Sequence, residues 1–141
     1  MSFESDVIRF SNKSFAEVDR IRRGVILKLF TAVILDTPVD TGLLRGNWQT
    51  SVGRARRHQL KTPSKGGGIA INKIGNNMGK FGDSVYLTNN LPYAKVAEYG
   101  EWNGPTDKVT SDGFSKKASK GMVRKNAMRF ARILKRVAKE K

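Results

Sequence analysis

Hydrophobic positions recur along the N-terminal third of the chain at helical spacing. Phe15, Val18, Ile21, Val25, Ile26, Leu29, Phe30 and Val33 follow one another at three- and four-residue steps, the signature of one helix face. Ser14-Phe15-Ala16-Glu17 has the S-x-x-E spacing of a capping box, in which serine and glutamate satisfy each other's backbone N–H. The pattern predicts a helix over 14–36. Its first two turns are amphipathic. Its last three, V-I-L-K-L-F-T-A-V-I-L, are apolar nearly all round. Such a helix is covered on all sides, either by its own domain or by a neighbouring subunit. Residues 1–13 show no clean period and read as a flexible arm with a short extended piece at Val7–Phe10.

The period changes at Asp36–Gly46, D-T-P-V-D-T-G-L-L-R-G. Pro38 cannot continue a helix, and Thr37 before it is biased toward extended backbone. Asp40-Thr41-Gly42 supplies turn chemistry, with Asp40 expected to cap the turn. Leu44 to Val52 then alternates, with Leu44, Gly46, Trp48, Thr50 and Val52 on one face and Arg45, Asn47, Gln49 and Ser51 on the other. This predicts a strand with one polar face. The stretch 54–68 has no period, is rich in basic residues and ends in three glycines; it reads as a mobile loop. Ile69-Ala70-Ile71 reads as a short strand returning to pair with Leu44–Val52, and Asn72–Gly82 as a short helix through Ile74, Met78 and Phe81.

Val85–Asn89 is β-branched and aromatic, and it stops at Asn90 and Pro92; it reads as a strand. Tyr93–Tyr99 suggests one or two helical turns closed by Gly100. Glu101–Ser119 is loop-like, with turns at Gly104-Pro105 and Asp112-Gly113 and a strand edge at Val109-Thr110. Met122–Lys139 reads as one helix. At about 100° per residue, Val123, Ala127, Phe130, Ile133, Leu134 and Val137 gather on one side. Arg124, Lys125, Arg129, Arg132, Lys135, Arg136 and Lys139 gather on the other, with Met128 the apolar exception. The fold class is therefore α+β: a long N-terminal helix and a basic C-terminal helix packed on an antiparallel β-sheet with extended loops. The 141 residues make a single domain.

Charge changes this picture more than length does. The formal net charge is +15, and it is unevenly placed. Residues 54–83 carry 7 basic groups and 1 acidic, and residues 116–141 carry 11 and 1. Arg54, Arg56, Arg57, Lys61 and Lys65 in the loop are candidates to face a polyanion or an acidic partner. So are Arg124, Lys125, Arg129, Arg132, Lys135 and Arg136 in the closing helix. The apolar run Gly24–Leu35 contains Lys28 and is shorter than the ~18–20 residues of a membrane span, so no membrane is expected.

Catalytic chemistry finds little to build from. There is no cysteine and one histidine, His58, which lies among Arg56, Arg57 and Lys61. A thiolate metal site, a multi-histidine zinc site and a histidine triad therefore lack their parts. The acids form no D-x-D, H-x-x-E or E-x-x-H pattern. Gly66-Gly67-Gly68 lacks phosphate-loop spacing. No catalytic residue, metal or cofactor is expected, and the chain is not expected to be an enzyme. Glu98, in the apolar-flanked A-E-Y-G, is expected to pair with a base, Arg45 being the candidate.

Two stretches together resemble a phage family. T-P-V-D-T-G-L-L-R (Thr37–Arg45) and V-Y-L-T-N-N-L-P-Y-A-K-V-A-E-Y-G (Val85–Gly100) are similar to the motifs of the neck or tail-completion proteins of long-tailed, lambda-like phages. In that family a "TP-DTG-L" turn follows a long N-terminal helix, and an "NN-PYA---E-G" segment follows a later strand. The matching residues are Pro38, Asp40, Thr41, Gly42, Leu44, Arg45, Asn89, Pro92, Tyr93, Ala94, Glu98 and Gly100. G-M-V-R-K-N at Gly121–Asn126 also looks like the start of the closing helix in some members. The likeness covers Phe15 to Lys139 in element order. The departure is the closing helix, which is more basic than the family's.

The resemblance implies a structural virion protein, made in the host cytoplasm, that forms a homo-oligomeric ring, usually of six subunits. The ring would sit at the head–tail junction or the top of the tail tube, between tail-terminator or tail-tube proteins and the head connector. DNA would pass through it, with possible contact to its phosphates. The alternative is a small non-enzymatic protein that binds DNA independently of sequence. A phage nuclease would need a metal-binding acid cluster, which the sequence lacks. In a ring, the loop Arg54–Lys65 is expected to order on assembly.

Overall fold

The computed structural model describes residues 2–102, 108–110 and 114–140. The fold is α+β and mostly helical: α1 (Phe3–Leu35), α2 (Leu43–Gly46), β1 (Gln49–Val52), α3 (Gly68–Ile74), β2 (Val85–Thr88), α4 (Pro92–Tyr99), α5 (Val123–Ala127) and α6 (Phe130–Lys139). A short 3-10 turn at Lys116–Ala118 precedes α5.

Helix α1 is 33 residues long, about 50 Å at 1.5 Å per residue. It begins well before the expected start at residue 14. Ser2 is its N-cap and accepts from Ser5 N–H at 3.2 Å, with Glu4 and Asp6 in the favoured acidic first turn. The supposed arm, and its extended piece at Val7–Phe10, are therefore helical from Phe3. The helix runs straight through Ser14–Glu17, and Glu17 pairs with Arg20 instead of closing a capping box. Phe3, Val7 and Phe10 at i, i+4, i+7 were helical spacing after all.

The C-terminal half of α1 is the centre of the core. Val33 and Ile34 bury against Leu44, Trp48, Ala70, Ile74 and Met78. The predicted return strand at Ile69–Ile71 is instead part of α3, because Ala70 and Ile74, four apart, both turn into this core. Gly67 opens α3 at φ 77°, and a side chain there would press on Ile34 Cγ2 at 2.8 Å. The partner of β1 is β2, antiparallel, with Gln49 opposite Thr88 and Val52 opposite Val85. The stretch after Ile74 is no helix. Arg22 on α1 donates to Met78 O at 2.7 Å and Gly79 O at 3.1 Å, and Phe81 reaches Phe15 with ring centroids 6.0 Å apart.

The closing helix is two helices. Asn126, 1% exposed, donates to Asp36 Oδ2 at 2.9 Å and to Met122 O at 2.7 Å. Arg129 N–H then bonds Asn126 O, an i→i−3 step that tightens the ladder, and the axis restarts at Phe130. Met128 lies at this break, 87% exposed, which accounts for an apolar residue in the basic arc. Helix α6 packs on α1. Val137 is buried against Gly24, where a Cβ would come within 2.6 Å of Val137 Cγ1, and Lys28 pairs with Glu140. Val109 and Ser115 form a single antiparallel bridge, so Val109 is the strand edge expected there. The turns expected at Gly104-Pro105 and Asp112-Gly113 lie outside the described residues.

Thr37 joins helix to sheet. Its hydroxyl donates to Val33 O at 2.8 Å and accepts Trp48 Nε1–H at 2.7 Å, both buried. Thr37→Val keeps the shape and strands the indole N–H. The expected loss is about 1–3 kcal/mol, read as a lower urea midpoint with an unchanged m-value, while Thr37→Ser retains most of the stability.

Candidate functional site

The two motif stretches, forty residues apart in sequence, meet in space. Asn89 donates to Leu44 O at 2.8 Å and accepts Leu91 N–H at 3.3 Å, which sets the entry into α4. Pro92 stands at the first position of α4 and Gly100 closes it at φ 71°, the glycine stop expected. Between the two stretches lies an open hollow of about 650 Å³. Pro38, Asp40, Thr41 and Gly42 line one side, and Tyr93, Trp102 and Lys116 another.

Within this junction the side-chain duties differ from those expected. Thr41 Oγ1, not Asp40, takes the turn's amide, accepting Leu43 N–H at 3.2 Å. Asp40 is exposed on the wall of the hollow. Gly42 has φ 89°, and a side chain there would meet Lys65 N at 2.7 Å. Arg45 does not reach Glu98. It donates to the carbonyls of Leu35, Thr37 and Lys65 at 2.7–2.9 Å, so it clamps the end of α1 to the basic loop. Burial pushes its guanidinium below its ordinary pKa, with Asp36 opposing.

Glu98 is buried and serves α5. Its Oε1 accepts Met122 N–H at 2.8 Å and Val123 N–H at 2.7 Å, and its Oε2 accepts Arg124 N–H at 3.2 Å. Arg124 also places its Nε 3.0 Å from Oε2, donates to Glu98 O at 2.7 Å and lies 4.6 Å over the Tyr99 ring. The expected base partner is thus Arg124. Burial raises the carboxyl pKa, but the amide donors and the guanidinium outweigh it and hold the group below its ordinary value. A carboxylate saturated in this way is a cap and not a proton-transfer group.

The strand expected over Leu44–Val52 begins only at Gln49, because Leu43–Gly46 turn as helix α2, and its expected polar face is not solvated. Asn47, Gln49 and Ser51 are all under 10% exposed. Asn47 accepts Leu60 N–H at 2.7 Å and donates to Leu60 O at 2.9 Å. Gln49 donates to His58 O at 2.8 Å, and Ser51 to Arg54 O at 2.6 Å. From the far side Asn90 donates to Arg56 O and His58 O. The loop expected to be mobile is thus fastened by its backbone, while Arg54, Arg56, Arg57, Lys61 and Lys65 stay exposed. Sequence reasoning saw the alternation at Asn47, Gln49 and Ser51 and read it as one polar face of a strand. The signal it passed over is that two amides and a hydroxyl at i, i+2, i+4 suit an irregular backbone as well as they suit solvent.

The basic face of the closing helices also divides. Arg124 is bound to Glu98, and Lys125 lies 3.5 Å from Asp36. Arg129, Arg132 and Arg136, spaced i, i+3, i+7, line one side of a groove between α6 and α1. Leu27, Ala32, Leu35 and Ile133 supply its apolar lining. Lys135 is exposed. Among the described residues no three His, Cys, Asp or Glu side chains gather to hold a metal ion, and no helix is long and apolar enough to cross a membrane.

Two outcomes follow. Glu98→Gln is expected to lower stability at pH 7 by about 1.5–3 kcal/mol. Because the folded pKa is depressed, the carboxylate's contribution is full above the unfolded value of about 4.3 and fades as pH falls through the folded one; wild type and Glu98→Gln should therefore converge in urea melts on the acid side. Asn47→Ala is expected to release the 54–61 backbone, seen as faster trypsin cleavage after Arg54, Arg56, Arg57 or Lys61 than in the wild type.

No protein-family model, no curated protein and no solved structure matches this chain.

Proposed function

We propose that this protein is a non-enzymatic structural subunit of a phage virion, a tail-completion or neck protein that forms a homo-oligomeric ring at the head–tail junction or the top of the tail tube. The observation that bears most on this reading is the convergence of the two motif stretches. Asn89 fastens one to the other at Leu44, and Pro38, Asp40, Thr41, Gly42 and Tyr93 edge a common hollow. The same residues carry the family resemblance. Their work here is structural: Arg45 ties backbone carbonyls and Glu98 caps a helix. The reading also supplies cover for Phe3, Val7 and Phe10, which are 84%, 45% and 72% exposed and belong to surfaces that bind other subunits. Six subunits, and contacts to tail-tube, tail-terminator and connector proteins, are part of the proposal.

A second reading, sequence-independent DNA binding, is favoured by one observation: the row Arg129, Arg132, Arg136 along an exposed groove. Phosphate contact of that kind makes affinity fall steeply with salt.

Co-expression with the tail-tube and connector proteins of the same phage, followed by electron microscopy, separates the two. The expected outcome is ring-shaped density at the tube end. A monomer that ignores those proteins yet shifts duplex DNA, with affinity falling about 10³-fold or more between 50 and 200 mM salt, overturns the first reading in favour of the second.

A further inference from the structure

Among the described residues, exposed apolar surfaces lie toward both ends of α1. One is the N-terminal stripe Phe3, Val7, Phe10. The other is the groove where Leu27 and Leu35, 43% and 48% exposed, face Ile133 across the α1–α6 seam. We propose that the groove is the seat for the first turns of α1 of a second copy. The proposal takes the ring reading above and names its subunit contact.

Two observations favour this occupant. The first is length. Leu27 to Leu35 spans about 12 Å of helix, and Phe3 to Phe10 about 10 Å, so the stripe fits the groove. Phe15 is not part of the stripe, being engaged with Phe81 of its own chain. The second is charge. The first turn of α1 bears Glu4 and Asp6, in a chain of net charge +15. The groove is edged by Arg129, Arg132 and Arg136. Opposite signs at a contact's rim steer encounter and fix register.

Stripe and groove are different patches of one chain, so the contact is heterologous, the kind that builds a ring when its rotation closes.

The absence of cysteine makes the test direct. Two differently tagged full-length chains, Val7→Cys and Leu35→Cys, are mixed and oxidised. The expected product is a mixed disulfide. Phe3→Ser/Phe10→Ser in the first chain, or Arg129→Glu/Arg132→Glu in the second, should weaken association about tenfold or more. Adding Glu4→Lys/Asp6→Lys to the first chain should restore crosslinking to the Arg129→Glu/Arg132→Glu partner. All these positions are exposed, and unchanged circular dichroism verifies the fold. Disulfides between two Val7→Cys chains in place of the mixed product would mean that the stripes pair with each other, and would overturn the proposal. So would crosslinking untouched by Arg129→Glu/Arg132→Glu while those changes abolish a duplex DNA shift. Rings on tail tubes that form unchanged with Phe3→Ser/Phe10→Ser overturn this contact and leave the ring reading standing. The mixed disulfide in a protein that ignores tail-tube proteins does the reverse.

Discussion

One hydroxyl decides how the long helix hands over to everything after it. Thr37 closes the last turn of α1 by donating to Val33 O, and the same oxygen receives the indole N–H of Trp48. The backbone of this turn would otherwise bring carbonyls into the core without partners. Arg45 completes the junction from outside, on the carbonyls of Leu35 and Thr37. With helix end, turn and Trp48 locked together, Ile34 and Leu44 share one core with α3 and α4.

A small two-stranded sheet cannot by itself organise a chain with this much irregular structure. The molecule meets the difficulty by turning polar side chains inward as backbone partners. Asn47, Gln49, Ser51 and Asn90 hold the 54–60 segment, and Glu98 holds the start of α5. Each is an acceptor or donor set at the place where a strand or a longer helix would have supplied the bond. The price is a set of buried polar groups whose removal leaves main-chain groups unpaired.

The charge distribution follows from the same economy. Arg45, Arg124 and Lys125 are consumed by the fold. The cations of the loop and of α6 stay outward, and Arg132 and Arg136 of α6 border apolar surface. The projecting half of α1 has the converse character, apolar with acids in its first turn.

The local chemistry of the chain was legible in its sequence. The apolar period of α1, the Pro38 stop, the strand at Val85–Thr88 and the Gly100 stop each depend on neighbours within a few residues, and the α+β class follows from them. What depends on distant contacts was not legible. Helix or strand at Ile69–Ile71 was decided by Ala70 and Ile74 meeting Ile34 and Val33. The break between α5 and α6 was decided by Asn126 reaching Asp36, ninety residues away. Whether Asn47, Gln49 and Ser51 faced water or a loop, and whether Glu98 met Arg45 or Arg124, turned on which segment the fold brought alongside. Sequence spacing fixes which residues share a face; only the tertiary structure determines what that face meets, because a hydrogen bond or a buried contact needs both partners in place.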